Sequence, residues 1–198
     1  MFRLIETIKV IDGLFQNLHY HNSRLNKARK ELFNAGDKLD IEKLVHVPAS
    51  ICNGIYKCTV TYNKEISEIN FQLYTIKKIR SLKIVTDNDI DYSYKYADRT
   101  NLNTLLELKG DCDEIVIVRN NQITDTSFTN LIFFDGEKWY TPDSPLLKGT
   151  KREKLLQQGI ITETNINIDD LTKYSQVGLI NAMLEPGDIT IDITNLKL

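Results

Sequence analysis

Apolar and polar positions change period along the chain, and the changes mark out its elements. Residues 2–11 (Phe-Arg-Leu-Ile-Glu-Thr-Ile-Lys-Val-Ile) form an apolar, β-branched-rich run ending at Asp12-Gly13, which predicts a strand and tight turn with 14–18 as the returning partner. Over 22–33 the spacing lengthens: Leu25, Ala28, Leu32 and Phe33 share one helical stripe, and Gly36 is the expected stop. Residues 55–62, 67–74 and 82–86 return to β-branched and aromatic side chains. Broken at Asn63-Lys64-Glu65 and Lys77-Lys78, they predict an antiparallel meander.

The polar run Asp87-Asn-Asp-Ile-Asp91 reads as a hinge, dividing an N-terminal α+β subdomain (1–87) from a C-terminal one (95–198) across 88–94. Around it Tyr92, Tyr94 and Tyr96 alternate with Ser93 and Lys95, the spacing of a strand with the tyrosines on one face and Lys95 on the other. Leu102, Leu105, Leu106 and Leu108 predict a helix over 101–109, stopped by Gly110. Two hairpins follow, 114–118 with 122–125 across Asn120-Asn121 and 131–134 with 138–140 across Asp135-Gly136. Helices are expected over 150–158, with Lys148-Gly149 at the start, and over 169–174, and a closing strand over 177–184. The sum is an α+β protein of two small subdomains with largely antiparallel sheets.

Composition adds mainly exclusions. At 198 residues and 41% hydrophobic the chain suits one compact domain or two small ones, and 25 Lys and Arg against 27 Asp and Glu give no electrostatic case for nucleic acid or an anionic membrane. No apolar stretch approaches the roughly 20 residues of a membrane span, and no basic segment with an apolar core opens the chain, so the expected location is the cytoplasm. The 3 cysteines lack CxxC spacing and read as reduced packing residues. His19 and His21 stand two apart without a third ligand, so no metal site is expected.

Several segments carry a more specific signal: Ile5-Glu-Thr7 before Asp12-Gly13, His21-Asn-Ser-Arg-Leu25, Lys95-Tyr-Ala-Asp-Arg99, Ile123-Thr-Asp-Thr-Ser-Phe-Thr-Asn-Leu131, Tyr140-Thr-Pro142 and Leu147-Lys-Gly-Thr-Lys-Arg152. In this order they resemble the class IV aminotransferase family, pyridoxal-phosphate enzymes of fold type IV that include 4-amino-4-deoxychorismate lyase and the D-amino acid and branched-chain aminotransferases. The resemblance implies pyridoxal 5'-phosphate as cofactor, with Lys95 as the amine that holds it and then moves a proton at the substrate carbon. Asp125 takes the place of the carboxylate that keeps the pyridine nitrogen protonated, where the family usually has Glu.

Phosphate binding falls by the same resemblance to the guanidinium of Arg24 and to the helix start at Gly149, Thr150 and Lys151, whose amides suit an anion. Lys151 stands where relatives often have Thr. Ser127 and Thr129 are candidate hydroxyl contributors to the cofactor site, with ordinary loop roles as the other reading. Glu6, Asn181, Ala182 and Met183 are the candidate substrate residues, although an edge ion pair explains Glu6 almost as well. Asp98 reads either as part of the motif after Lys95 or as a helix N-cap, and Trp139 as a hairpin core aromatic.

The segment Leu179-Ile-Asn-Ala-Met-Leu184 resembles the lyase branch more than the Thr/Ser-rich stretch of transaminases. The expectation is therefore 4-amino-4-deoxychorismate lyase of the folate pathway, with an amino acid aminotransferase as alternative and a non-catalytic cofactor-fold protein as the second. The resemblance also implies a homodimer acting on a small amino substrate. Because Glu6 lies so near the start of the chain, a shortened N-terminal subdomain is expected.

Overall fold

The computed structural model describes residues 2–198. Its strands are β1 (Leu4–Ile11), β2 (Leu14–Phe15), β3 (Ile55–Tyr62), β4 (Ile66–Leu73), β5 (Leu82–Thr86), β6 (Glu114–Arg119), β7 (Gln122–Ile123), β8 (Asn130–Phe134), β9 (Trp139–Pro142), β10 (Ile161–Thr164), β11 (Gln176–Ile180), β12 (Thr190–Asp192) and β13 (Leu196–Lys197). Its helices are α1 (Leu18–Phe33), α2 (Ile41–Leu44), α3 (Thr100–Glu107) and α4 (Thr150–Gln157), so the fold is α+β with mostly antiparallel pairing. Among the described residues no helix is long and apolar enough to cross a membrane.

The described chain forms two compact units, the residues up to Thr75 with Tyr94–Asp98, and Ile76–Ser93 with Arg99–Leu198. Residues 76–87 thus belong with the second unit and 94–98 with the first, which shifts the division away from the 88–94 hinge expected from polarity. The reason lies in β5. Instead of closing a meander with β3 and β4, it pairs in parallel with β6 and β13. The Ile-Val-Ile-Val run of β6 is buried on both faces, the pattern of a central parallel strand rather than of an alternating one.

In the first unit the sheet runs β2-β1-β3-β4. Asp12 and Gly13 turn β1 into β2 with φ of 49° and 80°, conformations that favour short polar residues and glycine. Leu4, Ile8 and Val10 of β1 pack with Cys58, Val60 and Tyr62 of β3 and with Leu25, Ala28 and Phe33 of α1. Glu6 lies in the same even-numbered row, so the period of two places a carboxylate in an apolar layer. Helix α1 starts earlier than the stripe suggests, after Asn17, and ends at Asn34 rather than Gly36. Asn34 itself takes the left-handed conformation (φ 53°) and donates its N–H to Arg29 O, so no glycine is needed there.

The expected 92–96 strand is reduced to a single bridge between Tyr96 and Leu4, flanked by hydrogen bonds from Ile5 N to Lys95 O (2.9 Å) and from Ala97 N to Arg3 O (2.8 Å). Tyr92 falls in the second unit, and Tyr94 and Tyr96 in the first.

The second unit contains the sheets β10-β9-β8-β11-β12 and β13-β5-β6-β7. Val116, Val118, Leu131, Phe133, Val177 and Leu179 share their core. Both expected hairpins form; Asn120 and Asn121 turn the first with φ of 53° and 66°. The expected closing strand 177–184 ends at Ile180, because Asn181 turns the chain and β12 and β13 follow. Helix α4 lies where expected, with Gly149 as its N-cap, and the 169–174 helix is a 3₁₀ segment, Ile168–Lys173.

Candidate active site

In the first unit, β1 and α1 meet at a buried ionic cluster. Glu6 Oε1 accepts from Arg24 Nε at 2.8 Å, and Oε2 accepts from Arg24 Nη2 at 2.5 Å and from His21 Nδ1 at 2.7 Å. His21 and Arg24 stand three apart on one helical face, which brings both to the same carboxylate. Burial works to raise the Glu6 pKa, but the charge of Arg24 and the hydrogen bonds from His21 and Arg24 outweigh it and hold the group at about 2. Burial pulls His21 below its ordinary value despite the Glu6 hydrogen bond, and the nearby Lys95 charge acts in the same direction. His21 is therefore a neutral ring donating Nδ1–H to an ionised carboxylate. Lys95 is half-buried, on the segment fastened to β1.

In the second unit, Asp125 is buried. Its Oδ1 accepts from Asn130 Nδ2 at 2.7 Å and its Oδ2 from Leu147 N at 2.9 Å. Asn130 Nδ2 also donates to Leu147 O at 2.8 Å, so the carboxamide clamps the strap leading into α4. Burial dominates these neutral donors and raises the Asp125 pKa to about 6. At the end of this strap a Cβ built on Gly149 would lie 2.0 Å from Asn130 Oδ1. Glycine is thus required by the packed carboxamide, not by backbone conformation, since Gly149 sits at an ordinary φ of −73°.

Thr150, Lys151 and Arg152 are buried, and the first helical bond of α4 runs from Glu153 N to Gly149 O. Their amides therefore precede the hydrogen-bond ladder, as an anion site at a helix start requires. Lys151 Nζ is held by Glu185 Oε1 at 2.5 Å. The Arg152 guanidinium bonds Thr141 Oγ1 (3.2 Å), Pro142 O (2.7 Å) and Glu163 Oε1 (2.5 Å), tying α4 to β9 and β10. Thr129 Oγ1 and Thr126 Oγ1 are 2.8 Å apart, and Ser127 O accepts from Arg99 Nη2 at 2.8 Å. Arg99, rather than Asp98, is the N-cap residue of α3.

Asn181 Oδ1 accepts from Met183 N (2.8 Å) and Leu184 N (3.0 Å), and its Nδ2 donates to Phe128 O at 3.3 Å. Its side chain therefore builds the turn carrying Ala182 and Met183 and links it to the Ser127–Thr129 loop. Within the first unit Glu6 holds Arg24 and His21, with the Lys95 charge nearby; within the second, Asp125 and Gly149 meet through Asn130. The sequence reading missed His21, Asn130 and Arg152 as functional partners. Each lies inside a quoted motif, and a buried polar residue in an apolar run was the available signal.

These residues fit pyridoxal phosphate. A buried carboxylate with only neutral donors on its oxygens is stabilised by a cationic ring nitrogen, and the α4 start suits a phosphate. The fold and these groups define the class: a fold type IV pyridoxal-phosphate protein. The sequence profile of amino-transferase class IV matches residues 3–190, and the chain belongs to that family of pyridoxal-phosphate-dependent enzymes.

An uncharacterized protein of Haemophilus influenzae is 40% identical over 92% of this chain and 98% of its own. A provisionally named 4-amino-4-deoxychorismate lyase of known structure from Haemophilus somnus is 39% identical, with TM-score 0.83, over 92% of this chain and 97% of that one. A provisionally named amino-acid aminotransferase from Mesorhizobium loti shares the fold at 21% identity, TM-score 0.81, over 99% of this chain and 100% of that one. The short length is thus common to these proteins.

Proposed function

We propose that the protein is a 4-amino-4-deoxychorismate lyase, forming 4-aminobenzoate and pyruvate for folate synthesis as a cytoplasmic homodimer. One observation carries the choice of branch: Asn181 accepts both Met183 N and Leu184 N. The turn spends these amides on itself and has no hydroxyl at positions 181–184, so it lacks the donor set with which a Thr/Ser-rich stretch would take a substrate carboxylate. The 39% identity to a provisionally named lyase supports the same reading.

When bound, pyridoxal phosphate supplies an electron sink for the substrate's amine-bearing carbon. Lys95 would hold the cofactor through its amine and, once freed by the incoming substrate amine, would take the proton from that carbon. The ether C–O bond then breaks, the ring becomes aromatic, and the departing enolpyruvyl group regains a proton as pyruvate. No second substrate is needed. Asp125 would keep the ring nitrogen protonated; Arg24 in the first unit, and the amides of Gly149, Thr150 and Lys151 in the second, are the groups suited to the cofactor's phosphate. Ser127 and Thr129 shape the cofactor's surroundings, and Ala182 and Met183 those of the substrate.

The test is incubation of the cofactor-loaded protein with 4-amino-4-deoxychorismate, following 4-aminobenzoate and pyruvate together, with borohydride trapping of the pyridoxyl group mapped to Lys95. Equimolar products support the proposal. Absence of both products, with an amino acid converting the cofactor to its pyridoxamine form, would overturn it in favour of an aminotransferase.

A further inference from the structure

We infer that Glu6 is a positioning residue, fixing the Arg24 guanidinium for an incoming anion, and does not touch substrate. The inference rests on the cofactor assignment above and assigns Glu6 a different role from the substrate contact expected from its motif.

Burial carries the first half. Glu6 is 0% exposed while the Arg24 side chain is 18% exposed, so of the pair only the arginine presents surface to solvent. Both carboxylate oxygens are engaged, Oε1 by Arg24 Nε and Oε2 by Arg24 Nη2 and His21 Nδ1. A carboxylate in that condition has little left with which to bind a substrate group.

Geometry carries the second half. Glu6 grips the Nε–Nη2 edge of the guanidinium, and two parallel bonds fix a planar group in both direction and tilt. The Nη1 side therefore points away from the carboxylate in a set orientation. His21 stops Oε2 from swinging, because its ring is locked by burial on the same helical face. Leu4, Ile8 and Val10, all buried in the row that holds Glu6, keep β1 from shifting relative to α1. The arrangement carries opposing effects: a fixed fork favours binding of an oxyanion, and the neighbouring carboxylate reduces the net positive charge it meets. The inference is that fixing wins, since a guanidinium on a long flexible stem otherwise loses its freedom at the moment of binding.

The phosphate-specific part of cofactor binding separates the two effects. Apo protein is titrated with pyridoxal 5'-phosphate and with pyridoxal, which lacks the phosphate, and the ratio of the two dissociation constants is compared in wild type, Glu6→Ala, Arg24→Ala and the double variant. Glu6→Ala is expected to shrink the preference for the phosphorylated form by about tenfold, and to add nothing once Arg24 is alanine. Glu6→Gln, which keeps the volume, is expected to shrink it by a smaller factor and serves if the alanine variant does not fold.

An unchanged or increased preference in the folded Glu6 variants overturns the inference. So does an effect confined to KM for the amino substrate at an unchanged ratio, which would return Glu6 to the substrate. Failure of the wild type to bind either form overturns the cofactor assignment instead, so the two failures are distinguishable.

Discussion

Replacing Gly149 by alanine tests the interlock around Asp125. The backbone there already has an N-cap conformation open to any residue (φ −73°, ψ 146°), so the added methyl group acts only through space. In the absence of a neighbour the change is nearly neutral, because the loss of about 0.5–1 kcal/mol in cap preference is offset by about 0.4–1 kcal/mol from a less flexible unfolded chain. Here the methyl would lie 2.0 Å from Asn130 Oδ1 and 3.2 Å from its Cγ, so the carboxamide must move. Moving it breaks the 2.7 Å bond to Asp125 Oδ1 and the 2.8 Å bond to Leu147 O. A buried carboxylate short of a donor costs about 1–3 kcal/mol, and overpacking adds about 1–3 kcal/mol. The expected total is about 3 kcal/mol, or roughly 6–12 °C in Tm for a chain of this size. Urea unfolding of apo Gly149→Ala, Asn130→Ala and the double variant measures it, and in the Asn130→Ala background the Gly149 change should cost less than about 0.5 kcal/mol. An equal cost in both backgrounds, or a Gly149→Ala variant as stable as wild type, refutes the interlock.

The two buried carboxylates make opposite demands on pH. Burial raises the Asp125 pKa from 3.8 to about 6, so the folded state holds the proton more tightly and stability falls as pH rises from about 4 to 6, by on the order of 3 kcal/mol. For Glu6, burial is outweighed by Arg24 and His21 and the pKa drops from 4.5 to about 2, so its contribution is present above 4.5 and is lost as pH falls toward 2. Apo-protein unfolding across pH 3–7 should therefore lose its neutral-side decline in Asp125→Ala and part of its acid-side decline in Glu6→Gln; parallel curves in all three proteins would contradict both assignments. Arg152→Met keeps the bulk of a buried side chain but leaves Pro142 O and Glu163 without their donor, and should lower stability by about 2–4 kcal/mol in chemical denaturation. At the β6–β7 turn Asn121 has φ 66°, so Asn121→Ala should cost about 1–2 kcal/mol while Asn121→Gly stays within about 0.5 kcal/mol, read from the same unfolding curves.

Much of the fold was legible because it is locally encoded. Asp12-Gly13, Asn120-Asn121 and Asp135-Gly136 specify their turns through short polar residues and glycine, and each hairpin forms where these stand. The start of α4 at Gly149 was legible for the same reason. What was not legible depends on partners distant in sequence. Strand β5 has a composition that suits either an antiparallel meander or a buried parallel sheet, and only its pairing with β6 and β13 decides between them. The tyrosine alternation at 92–96 suggested a strand, yet its β-pairing among the described residues is one bridge to the start of β1. Asn181 looked like a strand residue; its side chain competes for the main chain and ends β11.

The same distinction explains what the motifs revealed about the site. A motif exposes the charged group because chemistry demands the residue type, but the group that holds it is free to come from elsewhere. Arg24 is held by Glu6, 18 residues away, and Lys151 by Glu185, 34 residues away. Asp125 is held by Asn130, only 5 residues on, and by Leu147 N, 22 residues on. Each holder converts a flexible side chain into one of fixed direction before any ligand arrives, and in a buried setting a misdirected charge is costly. Substitutions at Glu6 and Asn130 should therefore first change the direction of Arg24 and of Asp125, the groups they hold. It also follows that residue types at the holders are constrained jointly with their partners: position 149 needs glycine because Asn130 fills the space a methyl group would take, and Asn130 is needed because Asp125 is buried.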